Sequence, residues 1–366
     1  MRELEIAGRR VADDTPAYVV AEIGHNHEGS LEKAERLLRE AAAGGAHAAK
    51  LQKRDNRSLF TKAMLSEPYE GRNSYGPTYG AHREALEFGR SEYVRLMELA
   101  AELGIAFFST AFDMPSVDFL VDLDISVIKI ASADVTNTPL LSYAAQTGKT
   151  LIISTGGASM DDVRRACDTI LPVNSRLALL QCTAIYPAAA SDLNLSVIRM
   201  YRSEYPDVVI GYSGHDLGPE MSCIAYALGA RVIEKHFTLD RGRPGSDHHF
   251  SLDPAQLAEM TAGLDRTQEA MGSPVKVRSA REITAIYKMG KKLVAARDLP
   301  SGHVLSEDDI AFKSPGDGMK PYRLHEVLGR RTMIPLEQDA DISLSVLTEA
   351  EDDPRISPAG VGSGAH

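Results

Sequence analysis

Short apolar runs of strand length alternate with amphipathic stretches along most of this chain. The apolar runs are four to six residues long, and the stretches between them show the spacing of apolar positions that an amphipathic helix requires. Such alternation is the pattern of strand–helix–strand units, in which helices connect parallel strands. We predict eight strands, at residues 18–23, 46–51, 106–110, 127–131, 151–154, 177–182, 208–212 and 232–237.

Helices are predicted between these strands and after the last one. The first, at 31–43, has clear ends, because Ser30 precedes it as an N-cap and two glycines follow it. Eight strands alternating with helices predict an α/β fold, a (β/α)8 TIM barrel over residues 1–272 with its active site at the carboxyl ends of the strands. An open, doubly wound sheet is the alternative, since periodicity does not establish closure. The other helices are predicted to begin at Ser91, Pro115, Pro139, Met160, Asn194, Pro219 and Pro254.

Four regions depart from this alternation of strands and helices. Residues 54–89 form a Gly- and Tyr-rich insertion, interpreted as a loop that covers the substrate; a partly ordered surface loop is the alternative. Residues 273–291 form a polar linker, and 292–348 predict a small β-rich domain of short strands and turns. The polar, Gly-rich residues 349–366 are predicted to be a disordered tail.

Composition narrows the class of protein. With 43% hydrophobic and 25% charged residues the chain is globular, and its net charge of −11 argues against nucleic acid as a partner. Three cysteines without a close-spaced pair fit a reducing compartment. Neither a signal peptide nor an apolar run long enough to span a membrane is evident. We expect a cytoplasmic protein with no membrane partner.

Ionisable side chains lie near the ends of several predicted strands. Side chains alternate along a strand, so Lys50 shares a face with Gln52, and Glu234 shares one with His236. The outer face of a barrel strand lies under helices, so we place these groups and Lys129 on the inner face. A charge buried there is costly unless it is paired or binds a ligand.

Hydroxyl groups follow the same strands. Each of them alone is most simply a helix N-cap, but together with Lys50 and Lys129 they form a cradle suited to a phosphate group. The hydroxyls belong to Thr110, Ser132, Ser154 and Ser213.

Two histidines, His215 and His236, end neighbouring strands. A carboxylate stands close to each in sequence, Asp216 and Glu234, and two imidazoles side by side indicate a divalent metal site. The alternative is a pair of barrel histidines with no metal. The loop after the last strand adds Asp247 and two further histidines, of which at most one is expected to reach the centre.

Two other functions are compatible with these residues. Lys50 or Lys129 would be a Schiff-base lysine in an aldolase of the same fold, if burial made it neutral. The surrounding hydroxyls favour contact with an anion, which would keep the ammonium charged. A non-catalytic carbohydrate-binding protein is the third possibility, although it has no need of two inward lysines beside two histidines.

Eight segments in order along the barrel resemble the sialic acid synthase family, which condenses phosphoenolpyruvate with N-acetylmannosamine or a related sugar. The final domain resembles the antifreeze-like (SAF) domain of the same family, beginning at Leu293-Val-Ala-Ala-Arg-Asp-Leu-Pro-Ser-Gly. The barrel segments are Ala21-Glu-Ile-Gly-His-Asn-His-Glu-Gly-Ser, Lys50-Leu-Gln, Lys129-Ile-Ala-Ser-Ala-Asp, Ser154-Thr-Gly-Gly, Gln181-Cys-Thr-Ala-Ile-Tyr-Pro, Gly211-Tyr-Ser-Gly-His, Glu234-Lys-His-Phe-Thr-Leu-Asp-Arg and Asp247-His-His-Phe-Ser-Leu.

The resemblance implies a carbon–carbon bond-forming transferase that makes N-acetylneuraminate or another nonulosonic acid and releases phosphate by C–O cleavage. A legionaminic or pseudaminic acid precursor, or a sugar of specialised metabolism, is an alternative acceptor. The resemblance also implies Mn2+ at His215 and His236, with Mg2+ or Co2+ as alternatives, and a domain-swapped homodimer. Phosphoenolpyruvate would bind at Lys50, Thr110, Lys129, Ser132, Ser154 and Ser213. The catalytic residues would be Glu22, Lys50, Lys129, Asp134 and Tyr186, and the sugar would face Gln52, Asn73, Asp134, Tyr186, Asp247 and Ser314.

Three residues differ from the family pattern. Ala184 stands where many bacterial members carry Asn or Ser. Ser314 replaces an arginine that in bacterial members reaches the acyl-amino group of the sugar, so N-acetylmannosamine itself is in question. His25 stands where a small or apolar residue is usual. The reaction class is unaffected by these differences.

Overall fold

The computed structural model describes residues 2–348, and the chain divides into two compact units between Gly272 and Ser273. The predicted tail, 349–366, lies outside the described residues. The first unit is a closed parallel barrel, whose strands follow one another around the barrel in chain order. The last strand pairs with the first, with Val232 opposite Tyr18, so the predicted TIM barrel is confirmed and the open sheet is wrong.

The barrel strands are almost wholly buried, because helices cover their outer faces and side chains fill the interior. A short antiparallel hairpin precedes them, formed by β1 (Glu3–Ile6) and β2 (Arg9–Ala12). The barrel strands are β3 (Tyr18–Gly24), β4 (Ala48–Lys53), β5 (Ala106–Ala111), β6 (Val127–Ile130), β7 (Thr150–Ser154), β8 (Leu177–Cys182), β9 (Val209–Gly214) and β10 (Val232–His236).

The N-terminal hairpin was not predicted, because two strands of four residues carry too few alternations to stand out. Leu4, Ile6 and Val11 are nevertheless buried against the barrel. The hydroxyl of Thr150, the first residue of β7, donates to the backbone oxygen of Glu5 at 3.0 Å. The hairpin therefore lies at the amino ends of the strands, opposite the end where the predicted active-site residues gather.

Helices follow the barrel strands as predicted, and local capping defines their ends. Ser30 accepts a hydrogen bond from the backbone N–H of Lys33 at 3.3 Å, which confirms it as the N-cap of the first helix. The covering helices are α1 (Leu31–Ala43), α5 (Arg90–Leu103), α6 (Met114–Asp122), α7 (Thr138–Gln146), α8 (Met160–Ile170), α9 (Val197–Glu204), α10 (Glu220–Ala227) and α11 (Pro254–Met271).

The insertion between β4 and β5 contains three short helices rather than an irregular loop. They are α2 (Asn56–Leu59), α3 (Lys62–Ser66) and α4 (Tyr79–Ala85). Each begins at an Asp or Thr whose side chain accepts a hydrogen bond from a backbone N–H of the first turn. The high content of glycine and tyrosine indicates a loop, whereas the capping residues Asp55, Thr61 and Thr78 favour the start of a helix.

The second unit has its own small hydrophobic core. Its antiparallel pair is formed by β11 (Lys292–Ala295) and β12 (Ile310–Lys313), and the fold agrees with the predicted β-rich domain. The stretch 273–291, expected as a linker, contains helix α12 (Ile283–Met289). In the part of the chain that the structure describes, no helix has the length and apolar character needed to cross a membrane.

Candidate active site

A cavity of about 500 Å3 opens at the carboxyl ends of the barrel strands. It gathers most of the side chains predicted to carry chemistry, because parallel strands deliver their last residues to one end of the barrel. The lining residues predicted from the sequence are Glu22, Lys50, Gln52, Thr110, Lys129, Ser132, Ser154, Tyr186, Ser213, His215, His236 and Asp247, together with Glu234 and the family departures His25 and Ala184.

The two lysines lie deep in this cavity and are held by hydroxyl groups. Lys50 Nζ donates to Thr110 Oγ1 at 2.9 Å and forms an ion pair with Glu22. Lys129 Nζ donates to Ser154 Oγ at 2.7 Å and to the backbone oxygen of Ile130 at 3.0 Å. Each ammonium is therefore fixed in place before any ligand arrives, which is the preorganisation that binding of an anion requires.

Glu234 lies between the two lysines. Its Oε1 is 3.8 Å from Lys50 Nζ and 3.9 Å from Lys129 Nζ, and it accepts a hydrogen bond from Ser213 Oγ at 3.1 Å. Burial by itself would raise the pKa of Glu234, but the two ammonium groups outweigh it and hold that pKa below its ordinary value. Glu234 therefore stays ionised and balances part of the lysine charge.

Glu22 titrates differently although it also contacts Lys50. Burial raises its pKa to about 7, with Lys50 opposing the rise and the negative charge of Glu234 adding to it. Gln52 Nε2 donates to the second oxygen of this carboxyl at 2.6 Å. A carboxyl group whose pKa lies near neutrality is suited to both accept and donate a proton.

The two predicted metal-ligating histidines face each other. The ring centroids of His215 and His236 are 5.3 Å apart, and Phe250 packs against both rings. His215 Nδ1 lies 2.8 Å from the backbone oxygen of Thr183; since a carbonyl only accepts, Nδ1 carries the proton and Nε2 keeps its lone pair. His236 Nδ1 is buried without a hydrogen-bond partner among residues 2–348, with Asp247 Oδ2 3.6 Å away.

These histidines fit a divalent cation only in an open site. No group of three or more His, Cys, Asp and Glu side chains within residues 2–348 is placed to enclose a metal ion. Burial lowers the pKa of His236, which favours the neutral imidazole that a metal needs. The unpartnered Nδ1 of His236 and the oriented ring of His215 supply two nitrogen donors, so substrate or water oxygens would have to complete the coordination.

Asp216 takes no part in this arrangement, although its position beside His215 contributed to the metal prediction. Its Oδ1 accepts a hydrogen bond from Tyr212 at 2.5 Å and lies 3.1 Å from Lys235 Nζ. Of the two further histidines in the last loop, His248 is buried against Thr238 and His249 is exposed. Asp247 is the member of that loop segment that lines the cavity.

Three of the predicted sugar-facing residues do not line the cavity. Asp134 lies at the end of the turn after β6 and accepts a hydrogen bond from Asn137 Nδ2 at 3.2 Å; burial raises its pKa. Asn73 accepts from the backbone N–H of Gly245 at 2.9 Å, which ties the insertion to the loop after β10. Ser314 belongs to the second unit, where its hydroxyl accepts from Lys291 Nζ at 2.7 Å.

The cavity also contains side chains that the sequence analysis does not predict. Cys182 lines it near His215, and that contact lowers the pKa of the thiol despite the opposing effect of burial. Arg54 follows Gln52 by two residues, so the strand alternation that placed Lys50 and Gln52 inward would have found it. Arg83 and Phe112 come from the insertion and from the loop after β5, where periodicity gives no orientation.

Comparison with known proteins agrees with this architecture. Residues 37–276 match the NeuB family, and residues 292–345 match the SAF domain. The chain is 38% identical to N-acetylneuraminate-9-phosphate synthase of Homo sapiens, over 93% of this chain and 95% of the human protein. It is 35% identical to N,N'-diacetyllegionaminic acid synthase of Legionella pneumophila, over 86% of this chain and 90% of that protein.

A solved structure gives the same result for the fold. The N-acetylneuraminic acid synthetase of Leptospira borgpetersenii, crystallised with citrate, superposes with a TM-score of 0.70 at 32% sequence identity, covering 78% of this chain and 95% of that one. The barrel matches the NeuB family model and the solved structure, and the sequence matches the human protein over 93% of this chain. The chain therefore belongs to the NeuB family of sialic acid synthases.

Proposed function

We propose that this protein is a synthase that condenses phosphoenolpyruvate with an aldose, N-acetylmannosamine or a related amino sugar, to give a nonulosonic acid and inorganic phosphate. One observation carries the proposal: two buried, hydroxyl-bound lysines and two facing histidines line the same cavity. The named relatives make a 9-phosphate product in one case and an unphosphorylated acid in another, so family membership alone leaves the acceptor open.

Phosphoenolpyruvate would bind at the deep end of the cavity. The ammonium groups of Lys50 and Lys129 supply positive charge, and the hydroxyls predicted as the cradle surround them. Ser132 Oγ accepts from the backbone N–H of Gly156 at 2.9 Å, which holds this hydroxyl in place at the cavity wall. Ala184 adds no polar group to this wall of the cavity.

His215 and His236 would hold a divalent cation, Mn2+ by preference, whose contribution when bound is to polarise the aldehyde oxygen as a Lewis acid. The remaining sugar contacts would come from Gln52, Tyr186 and Asp247 at the mouth of the cavity. Holding both reactants in one enclosed site supplies much of the rate enhancement, since it turns a bimolecular encounter into a positioned one.

The reaction balances without an external reductant or oxidant. The enol carbon of phosphoenolpyruvate forms a bond to the aldehyde carbon, water adds to the resulting electron-poor central carbon, and the bond from that carbon to the phosphate oxygen breaks. The two protons of water end on the new hydroxyl and on the departing phosphate. Glu22 is placed to transfer these protons, because its pKa of about 7 keeps both of its protonation states populated near neutrality.

The test is phosphate release in mixtures of phosphoenolpyruvate, Mn2+ and a panel of aldoses: N-acetylmannosamine, its 6-phosphate and diacetamido-trideoxyhexoses. We expect release only when all three components are present, and retention of a bridging 18O label in the phosphate. Lys129→Met should lower turnover on the order of 100-fold or more. Lys149→Met, which removes a lysine paired with the exposed Asp124, is the matched control and should leave turnover unchanged.

Three results would contradict the proposal. Phosphate that lacks the bridging label would place the break at the P–O bond. A reaction with pyruvate, unaffected by chelator and trapped on Lys129 by borohydride, would favour the aldolase, and burial does lower the pKa of Lys129 as that chemistry requires. Sugar binding without turnover of any aldose would favour a carbohydrate-binding protein.

We also propose that the working form is a homodimer. Several apolar side chains of residues 273–291 are exposed in the single chain, among them Val277 at 69% and Met289 at 73%. Scattered exposed apolar residues are ordinary, but several in one short segment are typical of a surface covered by a partner. Sedimentation equilibrium measures the oligomeric state. A monomer at the concentrations used in the assay would contradict the proposed homodimer.

A further inference from the structure

Two arginines, Arg54 and Arg83, line the wall of the active-site cavity near its mouth. Among residues 2–348, neither guanidinium lies within ion-pairing distance of a carboxylate. Glu87, whose negative charge acts on Arg54, binds Lys53 Nζ at 3.1 Å and the backbone N–H of Arg54 at 3.3 Å rather than a guanidinium. Within residues 2–348, both guanidiniums are therefore without a directly paired carboxylate, and Glu87 and Glu22 act on Arg54 only from a distance.

Arg54 is held rigidly by neutral groups. Its Nη1 donates to His25 Nε2 at 2.8 Å, its Nη2 donates to Gln52 Oε1 at 2.6 Å, and its guanidinium carbon lies 3.8 Å from the ring centre of Phe112. A guanidinium has five N–H groups, so these two bonds leave three without a partner in the described chain. The side chain is fixed, yet most of its donors are unused.

This arrangement is costly without a ligand. Arg54 is only 8% exposed, and burial lowers its pKa to about 10, with the charge of Arg83 adding to the effect. Burial likewise lowers the pKa of His25, which therefore adds no third charge. A buried, unpaired cation is unfavourable by several kcal/mol unless an anion binds beside it.

The two arginines are not positioned to bind phosphoenolpyruvate. Lys50 pairs with Glu22, Glu22 accepts from Gln52, and Gln52 accepts from Arg54, so a carboxyl and an amide separate the two cations. A phosphate bound between Lys50 and Lys129 would have Glu22 between itself and Arg54. Gln52, in contrast, is one of the residues proposed to face the acceptor sugar, and Arg54 is bonded to it directly.

We propose, on the basis of the proposed function, that the acceptor is an aldose phosphate and that Arg54 and Arg83 bind its phosphoryl group. A phosphate monoester carries nearly two negative charges at neutral pH, which matches two guanidiniums without ion-pair partners in the described chain better than a single carboxylate would. The planar fork of arginine also suits phosphate oxygens geometrically. Arg83 is partly exposed and bonded to Tyr79 through Nε and Nη2, which leaves Nη1 available.

The test compares N-acetylmannosamine with its 6-phosphate in the phosphate-release assay, in the wild type and in Arg54→Met. Methionine keeps an apolar contact with Phe112 but removes the charge. We expect the wild type to favour the 6-phosphate, and Arg54→Met to reduce that preference, measured as the ratio of the two kcat/KM values, about 10- to 100-fold. The KM for phosphoenolpyruvate should change less than about 2-fold, a difference that is small on the scale of an ionic contact.

Two further variants complete the design. Arg83→Met serves as a second test if Arg54→Met does not fold, and it should lower the same ratio. Arg57→Met, an exposed arginine three residues along the chain, is the matched control and should leave the ratio unchanged.

The outcomes separate this inference from the proposed function. Turnover with an unphosphorylated aldose at least as fast as with its phosphate, and a ratio unaffected by Arg54→Met, would overturn the inference and leave the synthase intact. A large rise in the KM for phosphoenolpyruvate in Arg54→Met would assign the arginines to that substrate and also overturn it. The absence of phosphate release with every aldose, in contrast, would count against the proposed function itself.

Discussion

His215 directly follows strand β9 and His236 ends the neighbouring strand β10, so that their ring centroids lie 5.3 Å apart. We expect His215→Ala and His236→Ala each to weaken Mn2+ binding at least about 100-fold, since loss of even an outer-shell partner of a metal ligand typically costs 10- to 100-fold. Isothermal titration of the chelator-treated protein with Mn2+ measures this directly. His325→Ala, which removes an exposed histidine of the second unit, is the control, and equal affinity in all three variants would exclude the pair as ligands.

Lys129 and Glu234 form part of a buried charge cluster, and their effect on stability should be strongly coupled. Removing either charge leaves the rest of the buried cluster out of balance, since Lys50 already pairs with Glu22, so Lys129→Met and Glu234→Gln should each lower the free energy of unfolding by about 3–5 kcal/mol. The double variant should be less destabilised than the sum of the two single variants. Denaturant unfolding gives the free energy of unfolding of the wild type, the two single variants and the double variant.

A second double-mutant cycle, on the exposed ion pair of Arg164 and Glu204, provides the comparison. Its atoms are closer, at 2.6 Å, but half of the arginine side chain is exposed, so the coupling should be much smaller than that of the buried pair. Equal coupling in the buried and the exposed cycle would show that burial does not govern the cluster around Glu234.

His27 should make stability depend on pH in the acidic range. It is buried against Phe88, its Nδ1 accepts from the backbone N–H of Gly29 at 3.1 Å, and burial lowers its pKa from 6.5 to about 3. Between these values the unfolded chain binds a proton that the folded chain does not. The contribution of His27 to the free energy of unfolding is therefore fully present above pH 6.5. It is lost as the pH falls toward 3, by about 1.4 kcal/mol for each pH unit.

His27→Asn keeps an acceptor near the position of Nδ1 and removes this titration. Denaturation midpoints of wild type and variant, measured from pH 7 to pH 4.5, should converge or cross as the pH falls. His325→Asn should run parallel to the wild type, because that side chain is exposed. A constant difference between wild type and His27→Asn across this range would contradict a neutral, buried imidazole.

Gly211 tests the packing inside the barrel. A Cβ added there would lie 2.3 Å from a methyl carbon of Leu180 and 2.5 Å from the backbone oxygen of Val232. Gly211→Ala should therefore lower the free energy of unfolding by about 1–3 kcal/mol or more, since neither strand has room to move. Gly242→Ala, on an exposed loop where the nearest atom is a side-chain oxygen 3.2 Å away, should cost far less in the same urea titration.

The barrel and much of its cavity were predictable from the chain alone because both depend on local periodicity. Alternation along a strand places Lys50 with Gln52 and Glu234 with His236, and the carboxyl ends of parallel strands meet at one end of a barrel. The N-cap at Ser30 likewise follows from a polar residue before an amphipathic run. The small second domain was recognised by resemblance, from its opening strand and turn.

Tertiary structure decided which polar groups face one another. Sequence proximity suggested Asp216 as a neighbour of the metal site, but Tyr212 and Lys235 bind it elsewhere. Arg54 and Arg83 come from segments 29 residues apart and share a cavity wall only because the insertion folds back across the barrel mouth. Periodicity determines the face on which a side chain lies, whereas its partners and the net charge around it depend on contacts between segments distant in the chain, which a single sequence does not encode locally.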